Sequence, residues 1–372
     1  MPAFFVSHFL RWHSMVPLFL SPMQSRSYLL LLFCLSAFHF AVTAQSYTVE
    51  ELDSSRSGVS FRGLSTGDNG VVWVSGSKGT IGKTVDGGKT WQWVNPKGFE
   101  KRDFRDIEAF DADHAVAMAI DSPGVILKTA DGGKNWKVVY ESHQQGIFLD
   151  AMDFRGDKGL CVGDPIDGKI WLLHTKNKGD SWELLPDDAR PSAYPGEAFF
   201  AASGTNVVMT EYLPELMGIL VSGGSHSRMF LLSKKGDSPV ALPLPIMQGG
   251  AMTGSNSILA MPRFPMVAAG DYSNSSRQDS CIYLMDNLLQ PAQMATSSAI
   301  GYASCLSYFG RDSILACGLG GVAIYRLPDA VLSKDGVWTM VDKEPWHVME
   351  QAKGGGNVFL AGPRGRIGVI RK

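Results

Sequence analysis

Thr84-Val-Asp-Gly-Gly-Lys-Thr-Trp91 decides the fold, because it comes three times: it returns as Thr129-Ala-Asp-Gly-Gly-Lys-Asn-Trp136 and, with changes, as Thr175-Lys-Asn-Lys-Gly-Asp-Ser-Trp182. The tryptophans stand 45 and 46 residues apart. Self-similarity at a period of roughly 20 to 50 residues marks a repeat architecture, and about 40 to 50 residues per unit suits a four-stranded propeller blade. Each copy lies between β-forming runs, Gly79 to Lys83 before the first and Gln92 to Val94 after it, so it reads as a hairpin turn. Asp86, Asp131 and Asn177 can fold their side chains onto backbone N–H groups, while Gly88, Gly133 and Gly179 supply positive φ. Thr84, Thr129 and Thr175 open the turns, and Trp91, Trp136 and Trp182 anchor their far sides. The polar groups are used by the turn itself, which assigns the phrase to structure and not to catalysis.

A second repeat runs the length of the chain: a short run of small and apolar residues closing on glycine. Its copies are Val-Ser-Gly76, Cys-Val-Gly163, Val-Ser-Gly223, Ala-Ala-Gly270, Ala-Cys-Gly318 and Leu-Ala-Gly362, with Ala-Met-Ala-Ile120 standing where one copy lacks its glycine. The steps are 44, 43, 60, 47, 48 and 44 residues, which makes seven units. The long step is assigned to an insertion around Glu211 to Met217 and a link from Asp187 to Gly196. The expected architecture is all-β: one seven-bladed propeller of four-stranded antiparallel blades over residues 45–372. Small residues suit strands that converge near an axis. The last unit shows three strand-like runs, Trp346 to Ala352, Val358 to Ala361 and Arg366 to Ile370, and Tyr47 to Leu52 is the spare strand that would close the ring.

The first 44 residues contain Arg11 and Arg26 but no acidic residue, and end in an apolar run from Tyr28 to Ala44. They read as a secretory signal peptide, with Val42-Thr43-Ala44 as the cleavage site and Gln45 as the mature start; Met23 is a more ordinary initiation site than Met1. The apolar run is shorter than the roughly 20 residues a membrane span needs, so no integral membrane segment is expected after leader removal. The expected location is secreted or periplasmic. Residues 45–372 carry 32 basic and 36 acidic side chains. A net charge near −4 excludes nucleic acid as the expected partner. Cys161, Cys281, Cys305 and Cys317 each sit in an apolar run and are expected to be small buried thiols, although export permits a disulfide between Cys305 and Cys317 on neighbouring strands. His114, His143, His174, His226 and His347 show no ligand spacing, so no metal is expected. No βαβ fingerprint calls for a cofactor. The ring is expected to be monomeric.

In a four-stranded antiparallel blade the third-to-fourth and first-to-second turns share a face, and the repeated phrase occupies it. Binding is therefore expected on the opposite face, where variable loops stand on a rigid ring. The second-to-third loops there supply Asp164, His226, Arg228, Asp271, Tyr272 and Arg364. The starts of the innermost strands supply Arg62, Arg105, Asp150, Glu197, Tyr302 and His347. Ser-Phe-Arg62 and Asp-Phe-Arg105 present an arginine twice in one register of adjacent blades, a pair able to fork onto a carboxylate. The expected partner is a protein or glycan ligand.

The turn phrase resembles the Asp-box, S/T-x-D-x-G-x-T/S-W, of BNR-repeat and sialidase proteins. With Phe-Arg-Gly-Leu64, Trp-Val-Ser-Gly-Ser-Lys-Gly79, Ser-Gly-Gly-Ser225 and Ala-Gly-Asp-Tyr272, the chain from residue 45 onward resembles the exported relatives of the photosystem II stability/assembly factor family. That resemblance implies a seven-bladed propeller acting as a non-catalytic scaffold for another protein. Ser233-Lys-Lys-Gly236, Leu284-Met-Asp-Asn287 and Tyr325-Arg-Leu-Pro328 depart from the Asp-box, so rebuilt turns are expected there. The alternative is a sialidase-like glycoside hydrolase, with Arg62, Arg105 and Arg228 for a substrate carboxylate, Tyr302 as nucleophile, Glu197 as its partner and Asp164 as acid/base. The Arg-Ile-Pro start of that family is absent, since Arg62 is followed by Gly-Leu. Gly79-Thr-Ile-Gly82-Lys-Thr84 lacks the first glycine of a P-loop, and Gly63-Leu-Ser65-Thr-Gly67 lacks the helix that a nucleophile elbow requires.

Overall fold

The computed structural model describes residues 47–210, 213–260, 265–285, 295–296, 299–310, 312–326 and 337–371. The signal-peptide reading of residues 1–44 lies outside them. From Tyr47 onward the chain forms one compact unit. Blade 1 pairs Phe61–Thr66, Val72–Gly76, Thr80–Thr84 and Gln92–Trp93 in order from the axis outward, every neighbour antiparallel. The innermost strands of blades 2 to 6 are Phe104–Ala109, Leu149–Arg155, Val207–Val208, Thr253–Leu259 and Ala303–Tyr308. Blade 7 takes Val348–Gln351, Val358–Ala361 and Ile367–Ile370 from the end of the chain and its outer strand, Val49–Asp53, from the beginning. Val49 lies opposite Ile370, so the two ends of the ring are joined through backbone hydrogen bonds.

Second strands such as Val72–Gly76 and Ala115–Ala119 are buried at every residue, because each blade is covered by its neighbours on both faces. One apolar cluster runs through blades 6, 7 and 1 and contains Phe61, Val74, Cys305, Trp346, Phe359 and Val369. The small residues of the second repeat lie in these second strands. A Cβ on Gly76 would stand 2.4 Å from the Ser60 carbonyl oxygen, and one on Gly318 1.9 Å from that of Tyr302. In blades 1, 3 and 6 the chain entering the innermost strand crosses the end of the second strand there, leaving no room for a side chain. Cys305 and Cys317 face each other across two strands of blade 6 as free, fully buried thiols, and Cys161 and Cys281 are likewise buried and free.

Side chains of the innermost strands fasten each blade to the next. Ala109 N donates to Ser65 Oγ (3.0 Å), Met152 N to Asp106 Oδ2 (2.7 Å) and Met209 N to Asp153. Thr205 Oγ1 bonds Ser257 Oγ (2.8 Å), and Leu306 N donates to that same Ser257 Oγ (3.0 Å). Ser304 Oγ donates to the His347 carbonyl (2.6 Å), and Thr66 N to Glu350 Oε2 (2.9 Å). All seven blade junctions thus carry a polar link that satisfies groups the ladders leave open near the axis.

The repeated turns are built as three copies of one hydrogen-bond plan. Gly88 N donates to Thr84 Oγ1 (3.1 Å), Thr84 Oγ1 to Asp86 Oδ1 (2.7 Å), and Thr90 N to Asp86 Oδ1 (3.0 Å). Asn177 sustains the plan because its amide oxygen still accepts from Ser181 N (3.1 Å). Gly88 has φ of +90°, which the turn requires. Gly87 N reaches Gly70 O in the first-to-second turn, which places the phrase on that face. At Ser233 a shorter turn stands instead, with Lys235 N donating to Ser233 Oγ (3.1 Å). The other two divergent turns fall mainly outside the described residues.

Candidate functional site

Blade 4 breaks the pattern and thereby makes the site. Its innermost path is split: Glu197–Ala198 pairs with Gly223–Gly224, Val207–Val208 pairs with Leu216–Val221, and residues 199–206 between them leave the sheet. This segment crosses the channel. Ala201 O accepts from Arg105 Nη1 of blade 2 (2.9 Å), and Ser203 Oγ donates to the Ser304 carbonyl of blade 6 (2.7 Å). Gly204, at φ +74°, lies so close to Asp106 that a Cβ would come within 2.4 Å of its carboxylate. Part of the long 60-residue step is therefore this plug, in addition to the link before Gly196. Ala201 and Ala202 line a cavity of about 390 Å³ on one side; Ser203, Gly204 and Thr205 line one of about 370 Å³ on the other.

The first cavity opens on the face opposite the repeated turns. Its cationic side carries Arg62 and Arg105, and its other walls are Phe148, Phe199, Phe200, Met252, Tyr272 and Tyr302, with Asn256 and Asp164 as further polar groups. Arg105 is held by Asp103 (Nε to Oδ2, 2.8 Å) and by the plug carbonyl. Arg62, by contrast, makes no hydrogen bond or ion pair among the described residues. Burial and the like charge of Arg105 push its pKa down, and the opposing pull of Tyr302, Tyr272 and Asp103 does not offset them, so the guanidinium would gain from an anion placed on it. Burial and the same two arginines press His347 down to about 3, which keeps its imidazole neutral. Tyr302 is buried, donates to Asn256 Oδ1 (3.3 Å) and stands edge-on to Tyr272 at 5.5 Å. Burial raises its pKa, with Arg62 opposing the shift.

Two acidic groups complete the floor from blade 3. Asp150 is fully buried; neither carboxyl oxygen has a partner in hydrogen-bonding geometry, although the backbone amides of Ala201 and Asp164 lie near enough to ease the charge slightly. Burial first, then Asp164, drive its pKa well up against the pull of Arg105. Asp164 accepts from Phe199 N of the plug (2.9 Å), and burial lifts it to about 6.

Of the residues expected at a site, the structure gathers Arg62, Arg105, Asp164, Tyr272 and Tyr302 around the cavity, with Asp150 and His347 behind them. Others are placed apart. Glu197 is ion-paired with Arg228 (Nε to Oε1, 2.9 Å) and takes the Ser222 hydroxyl, so neither lines the cavity. His226 stacks on Tyr194 at 4.5 Å. Asp271 accepts from Ser273 N and Asn274 N to hold its own loop, and Arg364 pairs with Glu344 (2.6 Å). Sequence reasoning missed Phe148, Phe199, Phe200 and Met252. The signal for the plug was present, since Glu-Ala-Phe-Phe-Ala-Ala202 stands where a regular innermost strand belongs in the one unit of anomalous length.

Fold and site define a closed seven-bladed β-propeller whose channel is plugged by its own chain and whose open funnel bears an arginine without a bonded partner among the described residues. The family model described as Photosynthesis system II assembly factor YCF48 matches residues 99–210, which hold blades 2 and 3 and the broken inner path of blade 4. Over that stretch the chain is similar to the photosystem II assembly factor family. Two solved structures share the fold: YCF48 bound to D1 peptide, with a TM-score of 0.61 and 14% identity over 89% of this chain and 97% of that one; and YCF48 from Cyanidioschyzon merolae, with 0.62 and 14% over 88% and 99%. At such identity the likeness is one of fold. No curated protein matches.

Proposed function

We propose that this chain is an exported, monomeric and non-catalytic scaffold that holds a segment of another protein in its funnel, with an anionic group of that segment seated on Arg62. The observation that carries this reading is the Arg62 guanidinium, partly buried beside a like charge and without a partner among the described residues. A carboxylate there would gain a charge-assisted bond in a low-dielectric setting. The walls formed by Phe148, Phe199, Phe200 and Met252 suit the apolar side chains of a peptide better than the hydroxyls of a sugar. That the similar YCF48 propeller has been solved with a D1 peptide supports a protein ligand here. A hydrolase reading loses support because Glu197, the partner required by Tyr302, is engaged by Arg228.

The test is retention of a partner from the envelope of the exporting cell by the purified propeller, compared with Arg62→Ala plus Arg105→Ala. Loss of the partner in the double variant is expected. Equal retention would show that the funnel is not the binding site. Turnover of fluorogenic glycosides that vanishes in Tyr302→Phe would overturn the non-catalytic reading.

A further inference from the structure

Among the described residues, the funnel floor holds more carboxyl groups than its unpaired arginine can balance. Asp164 accepts from Phe199 N of the plug and repels Asp150 on the adjoining strand of blade 3; Arg62 of blade 1, Arg105 of blade 2, Asn256 and Tyr272 of blade 5 and Tyr302 of blade 6 line the same cavity, with Asp103 on Arg105 and His347 of blade 7 beside the two arginines. Arg105 is paired with Asp103, and Asp150 is enclosed, with neither oxygen in hydrogen-bonding geometry among the described residues. A ligand carboxylate placed on Arg62 thus enters a cavity whose remaining acidic groups already crowd one another. Like charges in low dielectric do not both ionise, and the free energy falls if one of them takes a proton.

From this arrangement we infer that anion capture at the funnel is coupled to uptake of one proton by the Asp164–Asp150 pair, so that the propeller grips its ligand more tightly as pH falls and loosens as pH rises. Asp164 is the group that exchanges the proton, because it borders the open cavity whereas Asp150 is enclosed. The other ionisable neighbours leave the range between pH 6 and 8 to this pair: His347 is neutral throughout, and burial keeps the Tyr302 phenol protonated. Asp164 itself, at about 6 without ligand, is mostly ionised at pH 8 and half protonated at pH 6. A bound anion raises it further. Coupling of this kind is reciprocal, and a change of about tenfold in affinity lies within its ordinary range.

The inference rests on the funnel binding anions as proposed above, and the experiment separates the two. N-acetyl-L-phenylalanine, a monocarboxylate with an apolar side chain and a constant charge above pH 6, is titrated by NMR into the full propeller at pH 8 and pH 6. The expected result is binding that tightens about tenfold at pH 6. Asp164→Asn, whose amide oxygen can still accept from Phe199 N, should bind with little pH dependence and, at pH 8, more tightly than the unaltered protein. Equal affinity of the unaltered protein at both pH values overturns the proton coupling and leaves the binding site standing. Absence of binding at either pH, with saturating probe and folded protein, overturns the site and the coupling with it.

Discussion

The two cavities of the channel are nearly equal in size, about 390 and about 370 Å³, and opposite in character. The funnel holds an arginine with no hydrogen-bond or ion-pair partner among the described residues. The far cavity is lined by Asp106, Glu108, Asp153 and Glu350, three of which are engaged as blade-to-blade links. Burial raises the pKa of all four, and repulsion from neighbouring carboxylates adds to it at Asp106, Glu108 and Glu350, the last reaching about 7. The number of charges at a mouth of the ring is therefore a poor guide to binding. A charged group already bonded to the backbone of its neighbours contributes to closure of the ring; one left over is available to a ligand.

The largest effect that would break this contrast is on stability at the far end. Asp106→Ala removes the acceptor for Met152 N and Ile107 N in a fully buried setting and should destabilise the fold by about 3 kcal/mol in urea unfolding. Asp106→Asn should recover much of that loss. An Ala variant as stable as the parent would mean that the junctions do not need their polar links.

Next comes the pH dependence of the same end. The folded-state pKa of Glu350, about 7, lies above the roughly 4.3 of an unfolded glutamate. Its contribution to stability is complete below about pH 4.3 and is lost as pH rises through 7. Between pH 5 and pH 8 the unaltered protein should lose about 2 kcal/mol more than Glu350→Gln, which still accepts from Thr66 N but does not titrate. Parallel denaturation curves for the two proteins at both pH values would contradict the assignment.

At the funnel the expectation is reversed. Arg62→Ala should weaken partner binding at least about tenfold while leaving the unfolding free energy within about 0.5 kcal/mol of the parent, since no hydrogen bond or ion pair among the described residues is lost. Binding and unfolding measured on one preparation decide this. A smaller effect is expected at the repeated turns. Thr84→Val removes an acceptor for Gly88 N and should cost about 1 kcal/mol of stability, with partner affinity unchanged. A loss of affinity there would mean that the turn face also binds.

Legibility differed between the fold and the site for a physical reason. The blade count could be read because each blade repeats the same local demands: Gly88 and its counterparts must take positive φ, and Gly76 and Gly318 must leave room for a crossing chain. Arg62 and Arg105 were legible as a pair because they share one register in successive blades. Their different states were not legible. Asp103 and Ala201 engage Arg105, and the second of these comes from a residue 96 positions further on. Glu197 and Arg228, each a reasonable site residue by position, neutralise each other across blade 4.

The sequence by itself determined the seven units, the three hydrogen-bonded turns and the pairing of the chain's two ends, since short-range backbone chemistry and a fixed period are enough for these. The sequence also pointed to the face opposite the repeated turns; only the tertiary structure decided which charges on that face are left for a ligand and that the channel behind it is divided. Residues 199–206 leave their strand and carry backbone from blade 4 to blades 2 and 6, dividing the channel. Whether a charge is free or used depends on contacts between blades, and those form only when the ring closes.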